Sequence, residues 1–287
     1  MPPGRMCLGT GTQKINKMKQ EDFWPEDKVA RAIKLLQDCC PPQGYYLAFS
    51  GGKDSCVIKH LAQVAGVKFD AHYSQTTIDP PELVRFIKQY HPEVGWNRPA
   101  MNMWTMVATA PKTPPTRRCR WCCAVYKERE GDKRVKVLGV RAAESPSRAK
   151  RWREVTTDQR NGMVVCPIVL WTDEELWAYI RGNNIPYCSL YDEGFKRLGC
   201  VGCPLAGPTG QDREFARWPS FERNWKRAIY ANWEKWHNEL STKTGEPKYQ
   251  SKFPTAEAFW RWWRYCEAPA DPMYDGCQSM LLWTNTA

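Results

Sequence analysis

The chain has 287 residues, 42% of them hydrophobic, which is enough for one sizeable core or one core with a smaller appendage. No apolar run approaches the ~20 residues of a membrane span and the N-terminal stretch MPPGRMCLGTGTQKINKMKQ has no signal-peptide apolar core, so a cytoplasmic protein without membrane contact is expected. A formal charge of +11 suits an anionic partner, nucleotide or nucleic acid, and thirteen cysteines in a cytosolic chain favour metal or reactive thiols over a disulfide framework.

Residues 1–20 are polar, basic and glycine-bearing, the composition of a mobile segment. Helical periodicity begins near Pro25 and runs through Val29, Ile33 and Leu36. Apolar runs at 45–49, 68–73, 135–140 and 163–169 read as strands, and 54–65, 80–90 and 172–182 read as helices. Such alternation predicts an α/β fold, a mainly parallel sheet with helices on both faces, occupying 21–210. Beyond Pro204 the composition changes, and eight of the fifteen tryptophans lie past residue 211. Phe221, Trp225, Ile229, Trp233 or Trp236, and Leu240 recur at helical spacing, followed by AEAFWRWWRYC. A stripe of this kind is core more often than a base-stacking platform, so 211–287 is expected to be a Trp-rich helical region.

The first strand candidate runs directly into Ser50-Gly51-Gly52-Lys53-Asp54-Ser55 and then into a helix. Two adjacent glycines permit backbone geometry closed to other residues, so several N–H groups can converge on phosphate oxygens. The helix start adds its positive dipole end, Lys53 a point charge, and Ser50 and Ser55 hydroxyl donors. Asp54 can cap the helix or help to hold Mg²⁺. Neither G-x-x-x-x-G-K-[ST] nor G-x-G-x-x-G is present, and a plain strand-to-helix turn is the bland alternative. In parallel sheets ligands lie beyond the carboxyl ends of the strands, where this turn falls.

Cys119, Cys122 and Cys123 in RRCRWCCAVYKERE, with Cys200 and Cys203 in KRLGCVGCP, supply enough thiolates for a tetrahedral zinc or a [4Fe-4S] cluster. Spacing does not separate the two metals, and Cys119 forms a second C-x-x-C with Cys122. Cys7, Cys39, Cys40, Cys56, Cys166, Cys188, Cys266 and Cys277 read as incidental or buried thiols.

SGGKDS after a strand resembles the pyrophosphate loop of the PP-loop ATP pyrophosphatases, which share the adenine nucleotide α-hydrolase-like fold with the phosphoadenosine phosphosulfate (PAPS) reductase-like family. Cys122-Cys123 with Lys127, and Cys200-Val201-Gly202-Cys203, are similar to the cluster-binding elements of iron–sulfur sulfonucleotide reductases. TTIDPPE with Asp79, GVRAAESPSR with Gly139 and Arg141, and the long segment from Pro167 to Pro204 resemble that family in the same order along 45–205. The resemblance implies a nucleotide held by Ser50, Gly51, Gly52, Lys53, Asp54, Ser55, Asp79, Lys127, Gly139 and Arg141. It implies a [4Fe-4S] cluster on Cys122, Cys123, Cys200 and Cys203, and catalytic roles for Lys53, Asp54 and Arg141. One departure stands out: the C-terminal Glu-Cys-Gly of the reductases is missing, and Cys277 in MYDGCQSM is only a loose echo of it.

The leading functional expectation is an ATP pyrophosphatase using Mg²⁺ to adenylate an acceptor, DNA or tRNA among them, for sulfur transfer from a sulfur donor. The basic stretches PTRRCRW and SRAKRWR fit a nucleic-acid acceptor, or equally a solvated face. The first alternative is a PAPS or APS reductase releasing sulfite with a thioredoxin-like partner. The second is a nucleotide-binding accessory module of a nucleoprotein complex, of the defence or mobile-element type. The acceptor, ATP against PAPS, and the oligomeric state, homo-oligomer included, stay open at this level.

Overall fold

The structure is a computed structural model that describes residues 26–109, 113–128, 134–158, 162–240, 243, 245 and 253–266. The segment 1–20, Cys7 and Cys277 lie outside the described residues.

Helix α1 (Glu26–Asp38) leads to strand β1 (Tyr45–Ala48), helix α2 (Lys53–Val64), β2 (Phe69–Ser74), α3 (Pro81–Tyr90) and β3 (Gly95–Asn97). Then come α4 (Met103–Thr109), α5 (Trp121–Tyr126), β4 (Lys136–Val137), α6 (Pro146–Arg151), β5 (Val155–Asp158), β6 (Gly162–Val165) and α7 (Asp173–Gly182). Helices α8 (Gly207–Arg217), α9 (Pro219–Asn238) and α10 (Ala256–Tyr265) complete the described chain.

The six strands lie in the order β3-β2-β1-β4-β6-β5. All neighbours are parallel except β5, which pairs antiparallel with β6 at one edge. Tyr45, Tyr46 and Leu47 are all buried. Because successive residues of a strand face opposite sides, burial of all three means that β1 is covered on both faces, as a parallel sheet requires. The fold is therefore the expected α/β class, with a helical C-terminal region. Among the described residues no helix is long and apolar enough to cross a membrane.

Two strands are shorter than their apolar runs. Of 135–140 only Lys136–Val137 is strand, and of 163–169 the strand ends at Val165. Leu138 keeps one bond to the neighbouring strand, its N–H donating to the Val165 carbonyl at 3.0 Å, and with Val140 packs against Val164, Cys166, Val169 and Trp152 in a small apolar cluster. The Trp-rich stripe is core, as its spacing implied: Trp225 and Ile229 are fully buried in α9, alongside Phe259, Trp260, Trp262 and Trp263 of α10. Leu240 departs from the stripe and is 60% exposed, because α9 has already ended at Asn238. These aromatics join the same apolar cluster as Leu47, Val57 and Val137. Buried Asn232 donates to the Val107 carbonyl at 2.8 Å, and Trp263 Nε1 to that of Pro115 at 2.8 Å, tying the C-terminal helices to the segment that precedes the cysteine pair.

Candidate active site

The glycine turn forms at the carboxyl end of β1, whose neighbours β2 and β4 lie on opposite sides, so it occupies the position where the sheet order switches direction. Gly51 has φ +72°, a left-handed conformation that a side chain disfavours, and a Cβ there would meet Ile87 Cδ1 at 2.7 Å and Leu83 Cδ1 at 2.8 Å. Helix α3 thus presses the turn from below. Gly52 occupies the N-cap of α2 in an extended conformation, with no side chain to close off the helix N-terminus. The Lys53 N–H donates to the Tyr191 hydroxyl at 2.9 Å, and Ser55 Oγ donates to the Gly52 carbonyl at 2.8 Å. Ser50 Oγ lies 3.3 Å from Ser55 Oγ.

Two cations converge on this turn. The Lys53 side chain is 6% exposed and that of Arg141 is 3% exposed. Arg141 donates from Nε to Asp54 Oδ1 at 2.5 Å and from Nη2 to Asp173 Oδ1 at 2.8 Å. Lys53 Nζ lies 3.4 Å from Asp54 Oδ2 and 3.1 Å from that same Asp173 Oδ1. Burial works against the Arg141 charge, but Asp54 and Asp173 outweigh it and hold its pKa above the ordinary value. Burial would likewise raise the Asp173 pKa, yet the hydrogen bonds and charge of Lys53, then Arg141, hold it below the ordinary carboxylate range. Gly139 lets the chain after β4 pass tightly over α2, since a Cβ there would sit 3.0 Å from the Asp54 carbonyl. Asp173 and Tyr191 are the site residues that sequence reasoning missed. Asp173 follows Thr172 in a capping box closed by Glu175, and so read as an ordinary helix-start acid.

The cysteines form a second group. Cys122 and Cys123 sit side by side on α5, Cys200 and Cys203 on the turn before α8, and Cys122 lies within electrostatic range of the other three. Cys122 and Arg120 both donate to the Cys123 sulfur, the latter at 3.3 Å, and with Lys127 nearby they lower the Cys123 pKa. The same hydrogen bond, with burial, raises the pKa of Cys122. Burial and the Cys200 charge raise that of Cys203. Lys127 is held charged by Cys200 above all, with Cys123 and Asp79 adding to it. Asp79 accepts from the Thr76 N–H and hydroxyl at 2.8 Å each, and the Cys200 thiol donates to Thr76 Oγ1 at 3.4 Å. The described contacts therefore gather Lys53, Asp54, Gly139 and Arg141 into one set, and Lys127 and Asp79 with the cysteines into another. Cys119 sits in a separate tight turn, its N–H bonded to Thr116 Oγ1 at 3.0 Å.

The turn carrying Cys200 and Cys203 is braced from the C-terminal region. Gly202, at φ +76°, donates its N–H to Glu214 at 2.6 Å and accepts from Gln211 Nε2 at 2.9 Å. Trp225 Nε1 donates to the Val201 carbonyl at 2.9 Å. Burial pushes the Glu214 pKa up to about 7. Four thiols beside the cations Arg120 and Lys127 fit a thiolate-ligated metal in donor type and in charge. Among the described residues no three His, Cys, Asp or Glu side chains are drawn into metal-coordinating geometry.

Comparison with known proteins places this architecture. The family model described as the phosphoadenosine phosphosulfate reductase domain matches residues 44–206. An adenosine 5'-phosphosulfate reductase of Oceanobacillus iheyensis is 25% identical over 220 residues, covering 71% of this chain and 90% of that protein. An uncharacterized protein of Methanocaldococcus jannaschii is 29% identical over 198 residues, 63% of this chain but 47% of its own length, so the chain spans about half of that relative. The crystal structure of a PAPS reductase from Candida auris superposes with a TM-score of 0.48 at 16% identity, over 59% of this chain and 87% of that one. With more than half of its length matched, from the residue before β1 to the turn after Cys203, the chain belongs to the phosphoadenosine phosphosulfate reductase domain family.

Proposed function

We propose that this chain binds the phosphate chain of ATP at Ser50–Ser55 and acts as an ATP pyrophosphatase that adenylates an acceptor for sulfur transfer. The observation that carries this reading is the convergence of two buried cations, Lys53 and Arg141, with two carboxylates on the glycine turn. A triphosphate needs both: cations for the charge that develops on the leaving pyrophosphate, and a carboxylate for the Mg²⁺ that accompanies it. Gly51 and Gly52 let the backbone approach the phosphates, and Lys53 and Arg141 fix their position. An acceptor oxygen forms a bond to the α-phosphorus while the bond to the bridging oxygen breaks and pyrophosphate leaves with the electron pair. Hydrosulfide then forms a bond to the acceptor atom that bears the adenylated oxygen, while the bond from that atom to the oxygen breaks and AMP leaves with the oxygen and the electron pair.

Cys122, Cys123, Cys200 and Cys203 are the residues that would hold a [4Fe-4S] cluster, with Lys127 and Arg120 offsetting its negative charge. Such a cluster supplies a site at which sulfur can be carried. DNA or tRNA is the acceptor class favoured by the +11 charge and by the exposed Arg117, Arg118 and Arg120 beside the cysteines. The region beyond 210 serves in this reading as the brace of the second cysteine pair.

A second reading, sulfonucleotide reduction, is favoured by the coverage of the Oceanobacillus reductase. One experiment separates the two. Protein purified without oxygen is incubated with Mg-ATP, with and without DNA or tRNA, and separately with PAPS plus reduced thioredoxin. AMP and pyrophosphate from the first mixture support adenylation. Adenosine bisphosphate and sulfite from the second would replace it with reduction.

A further inference from the structure

We propose that Asp173 is a resident counter-anion of the phosphate site, a carboxylate that holds the place of a phosphate oxygen and must be displaced when a phosphate chain binds. The inference rests on the phosphate-binding reading of Ser50–Ser55 and adds how that site is regulated.

The two carboxylates at the site are not equivalent. Asp54 is 19% exposed, packed under the Gly139 backbone and bonded to Arg141 Nε at 2.5 Å. Asp173 is 53% exposed and reaches the site from the first residue of α7. One of its oxygens, Oδ1, bridges both cations, at 3.1 Å from Lys53 Nζ and 2.8 Å from Arg141 Nη2. A single anionic oxygen shared by a lysine and an arginine over a glycine turn is the arrangement that a bound phosphate oxygen would take. The helix start does not depend on this side chain, since the N-cap of α7 is closed by Thr172 and Glu175, each bonding the other's N–H. Asp173 can therefore rotate into solvent without unravelling α7. Asp54 has no comparable exit.

Charge sets the consequence. Lys53 and Arg141 have two positive formal charges, and Asp54 and Asp173 two negative ones, so with Asp173 in place the four side chains have no net formal charge. A phosphate chain must replace the Asp173 contact to meet a net positive site. Asp173 therefore lowers the affinity for phosphate and pyrophosphate anions, and it favours ligands with enough further contacts to displace it.

Calorimetric titration of the full chain with inorganic pyrophosphate, in the presence of EDTA, tests this directly. Asp173→Asn should bind pyrophosphate about tenfold more tightly than the unmodified chain, equivalent to about 1.4 kcal/mol, because one competing charge is gone. Asp173→Ser, which keeps a helix-start oxygen, should show the same gain, and Arg141→Met should lose binding. A gain in affinity is not what a damaged fold produces. Equal or weaker binding by both Asp173 variants would overturn the proposal and make Asp173 a structural partner of the two cations. If the folded unmodified chain and both Asp173 variants all fail to bind pyrophosphate, the phosphate-site reading itself falls, and this inference with it.

Discussion

Replacing Gly51 by alanine sets a methyl group against the two residues that brace the glycine turn. At φ +72° the backbone is left-handed, which costs a residue with a Cβ roughly 1–2 kcal/mol. The new Cβ would also stand 2.7 Å from Ile87 Cδ1 and 2.8 Å from Leu83 Cδ1. Ile87 and Leu83 are buried, so relief requires core movement, at about 1–3 kcal/mol for overpacking of this sort. The smaller entropy of the unfolded alanine chain returns roughly 0.4–1 kcal/mol, leaving a net loss of about 1–4.6 kcal/mol. Gly66 provides the internal control. It closes α2 at φ +65° in a Schellman arrangement, with Val67 N–H bonded to the Ala62 carbonyl, and a Cβ there meets nothing within 4 Å. Gly66→Ala therefore carries the dihedral cost alone. Urea denaturation of both variants should give a Gly51→Ala loss that exceeds the Gly66→Ala loss by roughly 1–3 kcal/mol, the overpacking contribution. Equal losses would refute the reasoning, since they would mean that α3 does not press on the turn.

Other consequences follow from the same packing. His91 is buried, and its Nδ1 accepts from Lys59 Nζ at 3.0 Å while Nε2 faces the Cys56 sulfur at 3.8 Å. Burial, and then the Lys59 charge, lower its pKa to about 4. The unfolded chain therefore takes up a proton below ~6.5 that the folded one refuses, so stability is full above that pH and falls by about 1.4 kcal/mol per unit towards pH 4. Denaturation at pH 7 and pH 5 should show this loss in the unmodified chain, and His91→Gln should lack that component. Trp225→Ala should cost about 3–5 kcal/mol as a buried aromatic truncation. Because it also removes the donor to Val201 between Cys200 and Cys203, metal retained per chain should fall in proportion among the folded molecules. Elemental analysis of anaerobically purified protein should find iron, retained in Cys119→Ser and lost in Cys123→Ser. Zinc in its place, or the reverse order of the two variants, would reassign the ligand set.

Much of the candidate site was legible because its signals are local. An apolar run, two glycines and a helix period coincide at Tyr45–Val64, and the strand, turn and helix form there within a residue of their expected bounds. What was not legible depends on distance in sequence. Asp173 meets Lys53 and Arg141 only because α7 packs beside α2, and Tyr191 reaches the Lys53 N–H across 138 positions. Strand β4 was overextended because beyond Leu138, whose N–H still bonds the Val165 carbonyl, the apolar character of Val140 serves the small cluster with Val164, Cys166 and Val169. The short elements β3, α4, α5 and α6 offer too few turns or alternations for a period to emerge. Of the two residues that the resemblance implied for nucleotide, Lys127 lies against Cys200 and Cys123, which raise its pKa, and Asp79 accepts from Thr76, which is itself bonded by Cys200.

The central claim is that Lys53 and Arg141 form one phosphate-binding unit on the glycine turn. Titration of the full chain with a non-hydrolysable ATP analogue and Mg²⁺, alongside Lys53→Met and Arg141→Met, tests it most directly. One nucleotide bound per chain, with each variant weakened at least about tenfold for the loss of a charged hydrogen-bonding partner, is the result the account requires. Unchanged affinity in both variants, or no binding by the folded unmodified chain, would contradict it.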